Sequence, residues 1–462
     1  MEDLRTGVNR GATYGLFGAP EPFMHHLRAL GGRFVRVNLF WSQIEPEPGR
    51  FDWRVVDALL DQLQDGDEVW VTVCASSPWA TRRATRFLPA SPAKDPAAYA
   101  RFVGELVRHA CGLVRFWQCE IEPNIPMLWS GDPDDYLAHL RVFHQAVKRA
   151  DPGALVALGA AVPGAMTADN ARWTVYFDRV LAGAGDWFDV FDLHPYGDPY
   201  QIPALVEACR RQMGAHGYDR PIAASEFNGP MPTAFPANLP YLREALTVHR
   251  EQFLGETPIP EEGVLESRAQ PAVTALYERM EELPRTLRMF LDGCSPELEA
   301  RRFRMTGSDI VTRTMLLLAA SVRRTAVFQL APESPYEGSR HTVRTLMFGT
   351  FALMDSAGVP HPTATTVELL SHHLRDVTEV RRLHVTGSPG IYLFGLQPEP
   401  RLVAWRRADD DEPPVPFDWP WPLPTARAVD AFGADVPVKV ADGRLHLSLS
   451  STPALVTPGN HR

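Results

Sequence analysis

Two short apolar runs of this chain each stop on a glutamate: Phe116-Trp117-Gln118-Cys119-Glu120-Ile121-Glu122-Pro123-Asn124 and Pro221-Ile222-Ala223-Ala224-Ser225-Glu226-Phe227-Asn228-Gly229. A run of strand-forming residues that ends on Glu and breaks at Pro-Asn or Asn-Gly puts a carboxylate at the carboxyl end of a buried strand, where α/β folds carry their active sites. Two carboxylates so placed are the minimum equipment for cleaving a glycosidic bond. The plain alternative for each, a surface-loop carboxylate, is disfavoured by the strand residues before it and the turn residues after it.

The elements that must position this pair follow from the rest of the pattern. Strand-like runs at 7–10, 33–38, 68–74, 114–121, 155–160, 189–193, 222–226 and 326–330 alternate with amphipathic stretches at 54–64, 97–111, 135–150, 173–181, 204–213 and 310–322. Such alternation is the mark of βα units around a parallel sheet. Eight repeats over this length, with no GxGxxG after any strand, predict an α/β protein with a closed (β/α)8 TIM barrel rather than an open doubly wound sheet. The barrel is expected to occupy residues 1–376. Within it, residues 230–305 leave the alternation as a Pro-rich and then helical insertion after the seventh strand. Because βα loops leave a barrel on its catalytic face, this insertion is either a lid or wall of the site or a helical decoration. Beyond 376, short alternating segments at 381–386, 390–396, 402–405, 426–429, 436–440, 444–449 and 454–457 predict a small antiparallel β-sandwich over 377–462. The acidic run at 409–412 and the Pro-rich stretch 413–424 read as one solvated loop within it.

Composition narrows the function classes. The chain has 462 residues, is 45% hydrophobic, and carries a net charge of −10. No run of Lys or Arg interleaves with aromatics, so nucleic acid is excluded as a main partner. No stretch approaches a membrane-spanning length, and the first residues lack the basic and apolar regions of a secretory leader. The five cysteines are scattered without a CxxC pair, as expected of reduced thiols in a cytoplasmic protein.

Phe34-Val35-Arg36-Val37-Asn38, Trp41-Ser42-Gln43-Ile44-Glu45-Pro46 and Pro48-Gly49-Arg50-Phe51-Asp52-Trp53 resemble the second strand and following loop of clan A glycoside hydrolases. Ser77-Pro78-Trp79 after the third strand, Trp117 to Asn124 at the fourth, Asp192-Leu193-His194-Pro195-Tyr196 at the sixth and Ser225-Glu226-Phe227 at the seventh continue the resemblance in order. Family 39 enzymes of the β-xylosidase and iduronidase kind, which pair a barrel with a β-sandwich, are the nearest match in pattern.

The resemblance implies a retaining glycosidase that needs no metal or organic cofactor and acts on a small glycoside or oligosaccharide. Glu122 would be its general acid/base and Glu226 its nucleophile, on strands that face each other across the barrel. Arg36 would hydrogen-bond Glu226 and favour its ionised form. His194 and Tyr196, two residues apart, would point the same way, towards the sugar. Trp79 and Trp129 are either sugar-stacking platforms or loop core. Asn124, which closes the fourth-strand motif, and Gln329, at the end of the eighth strand where the family commonly has Trp, join the supporting residues. Ile121 departs from the pattern, because family members usually carry Asn there, donating to the sugar 2-hydroxyl. That departure leaves open an unusual sugar, a substitute donor, or a carbohydrate-binding barrel that no longer cleaves its ligand. Glu120, two residues before Glu122, is expected in the barrel interior, where it needs a partner.

Overall fold

The computed structural model describes residues 3–162, 171–253, 270–332, 342–409 and 412–459. The eight strands are β1 (Arg5–Asn9), β2 (Phe34–Phe40), β3 (Glu68–Cys74), β4 (Phe116–Cys119), β5 (Leu155–Ala157), β6 (Phe191–Asp192), β7 (Ile222–Phe227) and β8 (Arg324–Phe328). They pair in the order β5-β4-β3-β2-β1-β8-β7-β6, and every pairing is parallel. Bridges from Ala157 to Val190 and from Ala161 to Leu193 join the two ends into a barrel. β2 and β3 are buried along their whole length, as strands covered by side chains inside and helices outside must be.

The outer helices carry explicit start signals. Asp95, Asp132 and Ser295 accept hydrogen bonds from the first turns of the helices Pro96–His109, Pro133–Ala150 and Pro296–Ala319, each with proline in its first turn. The last of these begins well before the sequence pattern indicated.

The insertion after β7 forms the helices Leu239–Phe253 and Gln270–Glu278 within its described part. Residues 254–269 lie outside the described residues. Past Glu278 the chain makes only short helical turns, Met280–Glu282 and Arg285–Arg288, the second starting from Pro284. Leu242, Leu276, Leu287 and Phe290 pack there with Leu346 from the helix Val343–Phe348, which follows β8. The insertion thus builds a core jointly with the segment after β8. Phe348 of that segment meets Tyr196 edge-on, with ring centroids 5.9 Å apart.

Beyond the barrel, β9 (Glu379–Leu383), β10 (Ile391–Gln397), β11 (Arg401–Arg406), β13 (Ala426–Asp430) and β16 (Ala454–Pro458) form one antiparallel sheet. β12 (Val415–Pro420), β14 (Val438–Ala441) and β15 (Arg444–Leu449) form a second. The two sheets bury Leu393, Leu402, Phe417, Leu445, Leu447 and Val456 between them. β12 corrects the expectation of a solvated loop over 413–424. It is an edge strand, where prolines at 416 and 420 are tolerated, and Phe417 sits opposite Leu447. Asp410 and Asp411 of the acidic run lie outside the described residues. Among the described residues no helix is long and apolar enough to cross a membrane.

Candidate active site

The barrel interior changes character over a single two-residue step. Phe34, Trp70, Phe116, Val190 and Ala223 belong to an apolar plug. Two positions further along the same strand segments stand Arg36, Thr72, Gln118, Asp192 and Ser225, all inaccessible to solvent. Gln118 is the hub of this polar layer. Its Oε1 accepts from Arg36 Nε (3.1 Å), Trp70 Nε1 (3.0 Å) and Thr72 Oγ1 (2.7 Å). Its Nε2 donates to the Leu158 carbonyl (3.0 Å) and to Asp192 Oδ2 (2.6 Å). A buried layer so densely hydrogen-bonded, with Arg36 Nη2 its unpartnered donor, is rigid, and it is the floor on which the two glutamates rest.

Glu226 follows the inward-facing Ser225, so regular alternation would turn it away from the interior. The β7–β8 register shifts between Ala224 and Phe227, and this irregularity re-aims the side chain. Glu226 Oε2 accepts from Arg36 Nη1 (2.6 Å) and Asn9 Nδ2 (3.1 Å), and Oε1 accepts from the Tyr196 hydroxyl (2.9 Å). The guanidinium of Arg36 is fully buried while Glu226 keeps 14% of its side chain exposed. The carboxylate is therefore fixed from below and open above.

Glu122 lies beyond the end of β4 and is 8% exposed. Its Oε1 lies 2.7 Å from His194 Nδ1. The other ring nitrogen, Nε2, lies 3.3 Å from both Ser225 Oγ and Asp192 Oδ2. Asp192 also accepts from the Ser225 hydroxyl (2.5 Å) and the Ser225 backbone N–H (2.9 Å). Burial works against a charge on His194, but the carboxylates of Glu226, Asp192 and Glu122 outweigh it and push the ring up to about 9. Burial also opposes the Asp192 charge, yet His194, Arg36 and Ser225 hold that carboxyl below its ordinary range.

One carboxylate oxygen of Glu122, one of Glu226 and a ring nitrogen of His194 lie within 4.8 Å of one another. Among the described residues this is the group close enough to share a cation. The chemistry of the donor set fits a proton better, since Nδ1 is already engaged with Glu122.

β4 and β7 stand three places apart around the barrel, through β5 and β6, near enough to opposite for the two carboxylates to meet over the centre. Arg36 reaches Glu226 as the sequence reading expects. His194 and Tyr196 point into the site together, but each contacts a glutamate rather than standing free for a sugar. Asn124 is 5% exposed and Gln329 6%, and the Asn124 amide and Gln329 Oε1 have no protein hydrogen-bond partner. Trp79 is half-buried, donates Nε1 to the Glu45 carbonyl (3.0 Å) and packs edge-on against Trp41. Trp129 is 1% exposed and packed against Tyr136 and His139. Its faces are taken by protein, so of the two roles weighed for it the structure gives loop core, not a sugar platform.

Glu120 also departs from expectation. The strand ends at Cys119, and Glu120 takes φ 67°, the left-handed region, which breaks the alternation on which an interior position depended. Its buried carboxylate accepts instead from Ala75 N (2.9 Å) and lies 3.1 Å from His139 Nε2, on the helix Pro133–Ala150. Ile121 is 8% exposed and belongs to the main hydrophobic core.

Asn9, Gln118, Asp192 and Ser225 are site residues that sequence reading did not single out. The i, i+2 spacing of Asp192 with His194 was the available signal for one of them. Arg313 had no local signal at all. Its fully engaged guanidinium, on the helix Pro296–Ala319, donates to the Pro195 carbonyl (2.6 Å), the Gly197 carbonyl (2.5 Å) and Asp309 Oδ2 (2.7 Å), clamping the loop that carries His194 and Tyr196.

No protein-family model matches the sequence, and a search of curated proteins finds no match. Solved structures do match. A family 39 glycoside hydrolase from Bacteroides cellulosilyticus WH2 aligns with TM-score 0.62 at 15% identity, covering 99% of this chain and 81% of that one. The fold is shared with glycoside hydrolases. A glucosidase from Croceicoccus marinus aligns with TM-score 0.59 at 14% identity, covering 100% of this chain and 97% of the other. A GH39 enzyme from Xanthomonas axonopodis pv. citri gives TM-score 0.59 at 14% identity, covering 99% and 98%. At such identities the likeness speaks for the fold, and the chemistry rests on the site.

Proposed function

We propose that this protein is a retaining glycosidase, with Glu226 as nucleophile and Glu122 as general acid/base. The observation that carries the reading is the approach of the two carboxylates, whose oxygens come within 4.8 Å. Retaining enzymes hold their carboxyl groups roughly 5–5.5 Å apart, whereas inverting enzymes leave room for a water between them. The surroundings divide the roles. Every partner of Glu226 is a donor, the environment of an attacking carboxylate, whereas Glu122 faces a ring nitrogen that can give or take a proton.

In the first step a Glu226 oxygen bonds to the anomeric carbon as the bond to the leaving oxygen breaks, and Glu122 gives that oxygen its proton. In the second step Glu122 takes a proton from water, whose oxygen displaces Glu226 from the same carbon. A sugar alcohol in place of water makes the same site a transglycosidase. Arg36 and Asn38 within β2, and Ser76, Asn124 and Gln329 past the ends of β3, β4 and β8, each hold a buried polar atom without a protein partner. Such groups are what a hydroxylated ligand requires, and they support a small glycoside or oligosaccharide as substrate. The five cysteines are all free, three of them buried, which supports a reducing, cytoplasmic setting.

A second reading is favoured by Ile121, which places an aliphatic side chain next to Glu122: a barrel that binds carbohydrate without cleaving it. A panel of 4-nitrophenyl and 2,4-dinitrophenyl glycosides, including 2-deoxy sugars, separates the two. Turnover lost in both Glu122→Gln and Glu226→Gln, with Glu226 labelled by an activated 2-fluoro glycoside, is the expected result. Measurable sugar binding with no turnover of any glycoside transfers the conclusion to the second reading.

A further inference from the structure

His194 is wholly buried between two carboxylates, and the hydrogens around it can be counted. Ser225 Oγ lies 2.5 Å from Asp192 Oδ2 and donates its one hydrogen there, so towards His194 it can only accept. Asp192, ionised, is an acceptor only. Nε2 of His194, 3.3 Å from each, therefore carries a hydrogen, since a bare lone pair would face two acceptors. That fixes the tautomer. Nδ1 is left facing Glu122 Oε1 at 2.7 Å, a distance that requires one proton between the two atoms.

We propose that Asp192 and Ser225 lock His194 in the Nε2–H form, making the ring the proton partner of Glu122 and Asp192 a positioning residue for acid catalysis. This rests on the reading of Glu122 as the acid/base. The neutral ring accepts at Nδ1 from a protonated Glu122, and the imidazolium donates from the same nitrogen to an ionised one. The contact thus survives both charge states without a ring flip. With the ring as the imidazolium, Nδ1–H donates to Oε1 while the proton on Oε2 goes to the leaving oxygen, and it still donates there while Oε2 recovers a proton from water, so the ring stays in register as Glu122 changes charge.

The charged and titratable groups facing this assembly are Glu122 after β4, Asp192 and Tyr196 on the β6 segment, and Glu226 on β7. Arg36 on β2 faces Asp192 and Glu226. Of these, Asp192 alone is anchored to the far side of the ring, by Gln118 and by two bonds from Ser225. Its negative charge raises the affinity of the whole assembly for protons, so its removal must lower that affinity.

The test has two parts. In Asp192→Asn, the basic limb of kcat/KM for the turned-over 4-nitrophenyl glycoside moves to lower pH by about one to three units. A merely structural role lowers the rate without moving the limb, and an unmoved limb overturns the proposal. In 15N-histidine spectra of the unmodified protein, assigned against His194→Gln, Nε2 of His194 stays protonated across the pH range while Nδ1 titrates. A His194 protonated at Nδ1 alone, with Nε2 bare, overturns the proposal even if Asp192→Asn fails to fold or no aryl glycoside is turned over. Azide rescue of Glu122→Ala on a 2,4-dinitrophenyl glycoside reads the acid/base assignment separately. Rescue together with an unmoved Asp192→Asn limb removes this inference and leaves the parent reading standing, whereas an unimpaired Glu122→Ala removes the parent reading.

Discussion

Replacing Arg313 by methionine tests whether a residue remote in sequence holds the site together. Its guanidinium is 2% exposed and donates three hydrogen bonds, two of them to the carbonyls of Pro195 and Gly197 on either side of Tyr196. The third partner, Asp309, is a carboxylate pushed upward by burial and held charged by Arg313. Methionine fills much of the volume but leaves Asp309 with an uncompensated charge, and breaking a buried pair from one side costs ~3–5 kcal/mol. Gly197 is exposed, so water replaces one of the lost donors, and the lower end, about 3 kcal/mol, is expected. The loop then relaxes and carries Tyr196 and His194 out of register with the glutamates, which lowers kcat/KM by about 100-fold. Urea unfolding followed by fluorescence, with kcat/KM for an aryl glycoside measured on the same preparation, reads both effects. The double variant Asp309→Asn/Arg313→Met removes the stranded charge, and is expected to regain about 1 kcal/mol or more over the single variant. A single variant within about 0.5 kcal/mol of the parent, with undiminished kcat/KM, refutes the reasoning.

Tyr196→Phe removes only the hydroxyl that donates to Glu226 Oε1, a bond to a charged group worth about 1.5–3 kcal/mol. A fall in kcat/KM of roughly 10- to 150-fold is expected, with stability little changed; a loss below about threefold shows that Arg36 and Asn9 suffice. Gly229→Ala puts a methyl group into the Asp309 carboxylate and against Arg313 Nη2, so it is expected to copy the Arg313 phenotype in milder form, read by the same unfolding and rate measurements. Stability is expected to fall on both sides of neutrality. Burial lowers His373 to about 4, so the unfolded chain takes up its proton first and stability is lost as pH drops from about 6.5 towards 4. His194, raised to about 9, contributes stability that is fully present below about 6.5 and is lost as pH rises through about 9. Unfolding midpoints across pH in His373→Gln and His194→Gln check the assignment: each flattens its own limb, and a variant that flattens neither is inconsistent with it.

The barrel was legible because its strands are buried on both faces. Runs such as Glu68–Cys74 read as largely apolar segments, whereas the helix Pro296–Ala319 reads as helix only from 310 by its sequence pattern, despite its Ser-Pro start. β12 was not legible, since its prolines weigh against a strand unless the strand is known to lie at an edge. Trp129 is open by sequence between sugar platform and loop core, because an indole past a strand end suits either, and only its packing against Tyr136 and His139 decides for loop core.

Glu122, Glu226, Arg36, His194 and Tyr196 could be read from sequence because chemistry restricts residue type at strand ends, and residue type is what a sequence records. Their contacts could not, because two local departures from strand geometry decide where side chains point. The positive φ of Glu120 sends its carboxylate outward to His139, and the irregularity between Ala224 and Phe227 turns Glu226 into the site beside Ser225. The sequence by itself determined the barrel, the pair of glutamates and the arginine beside one of them. The tertiary structure alone decided that the two carboxylates meet within 4.8 Å, that Asp192 stands behind His194, and that Arg313 clamps the loop from a helix more than a hundred residues away. The physical reason is that alternation along a strand is a local property, whereas the pairing of buried charges is settled only when distant elements close around them.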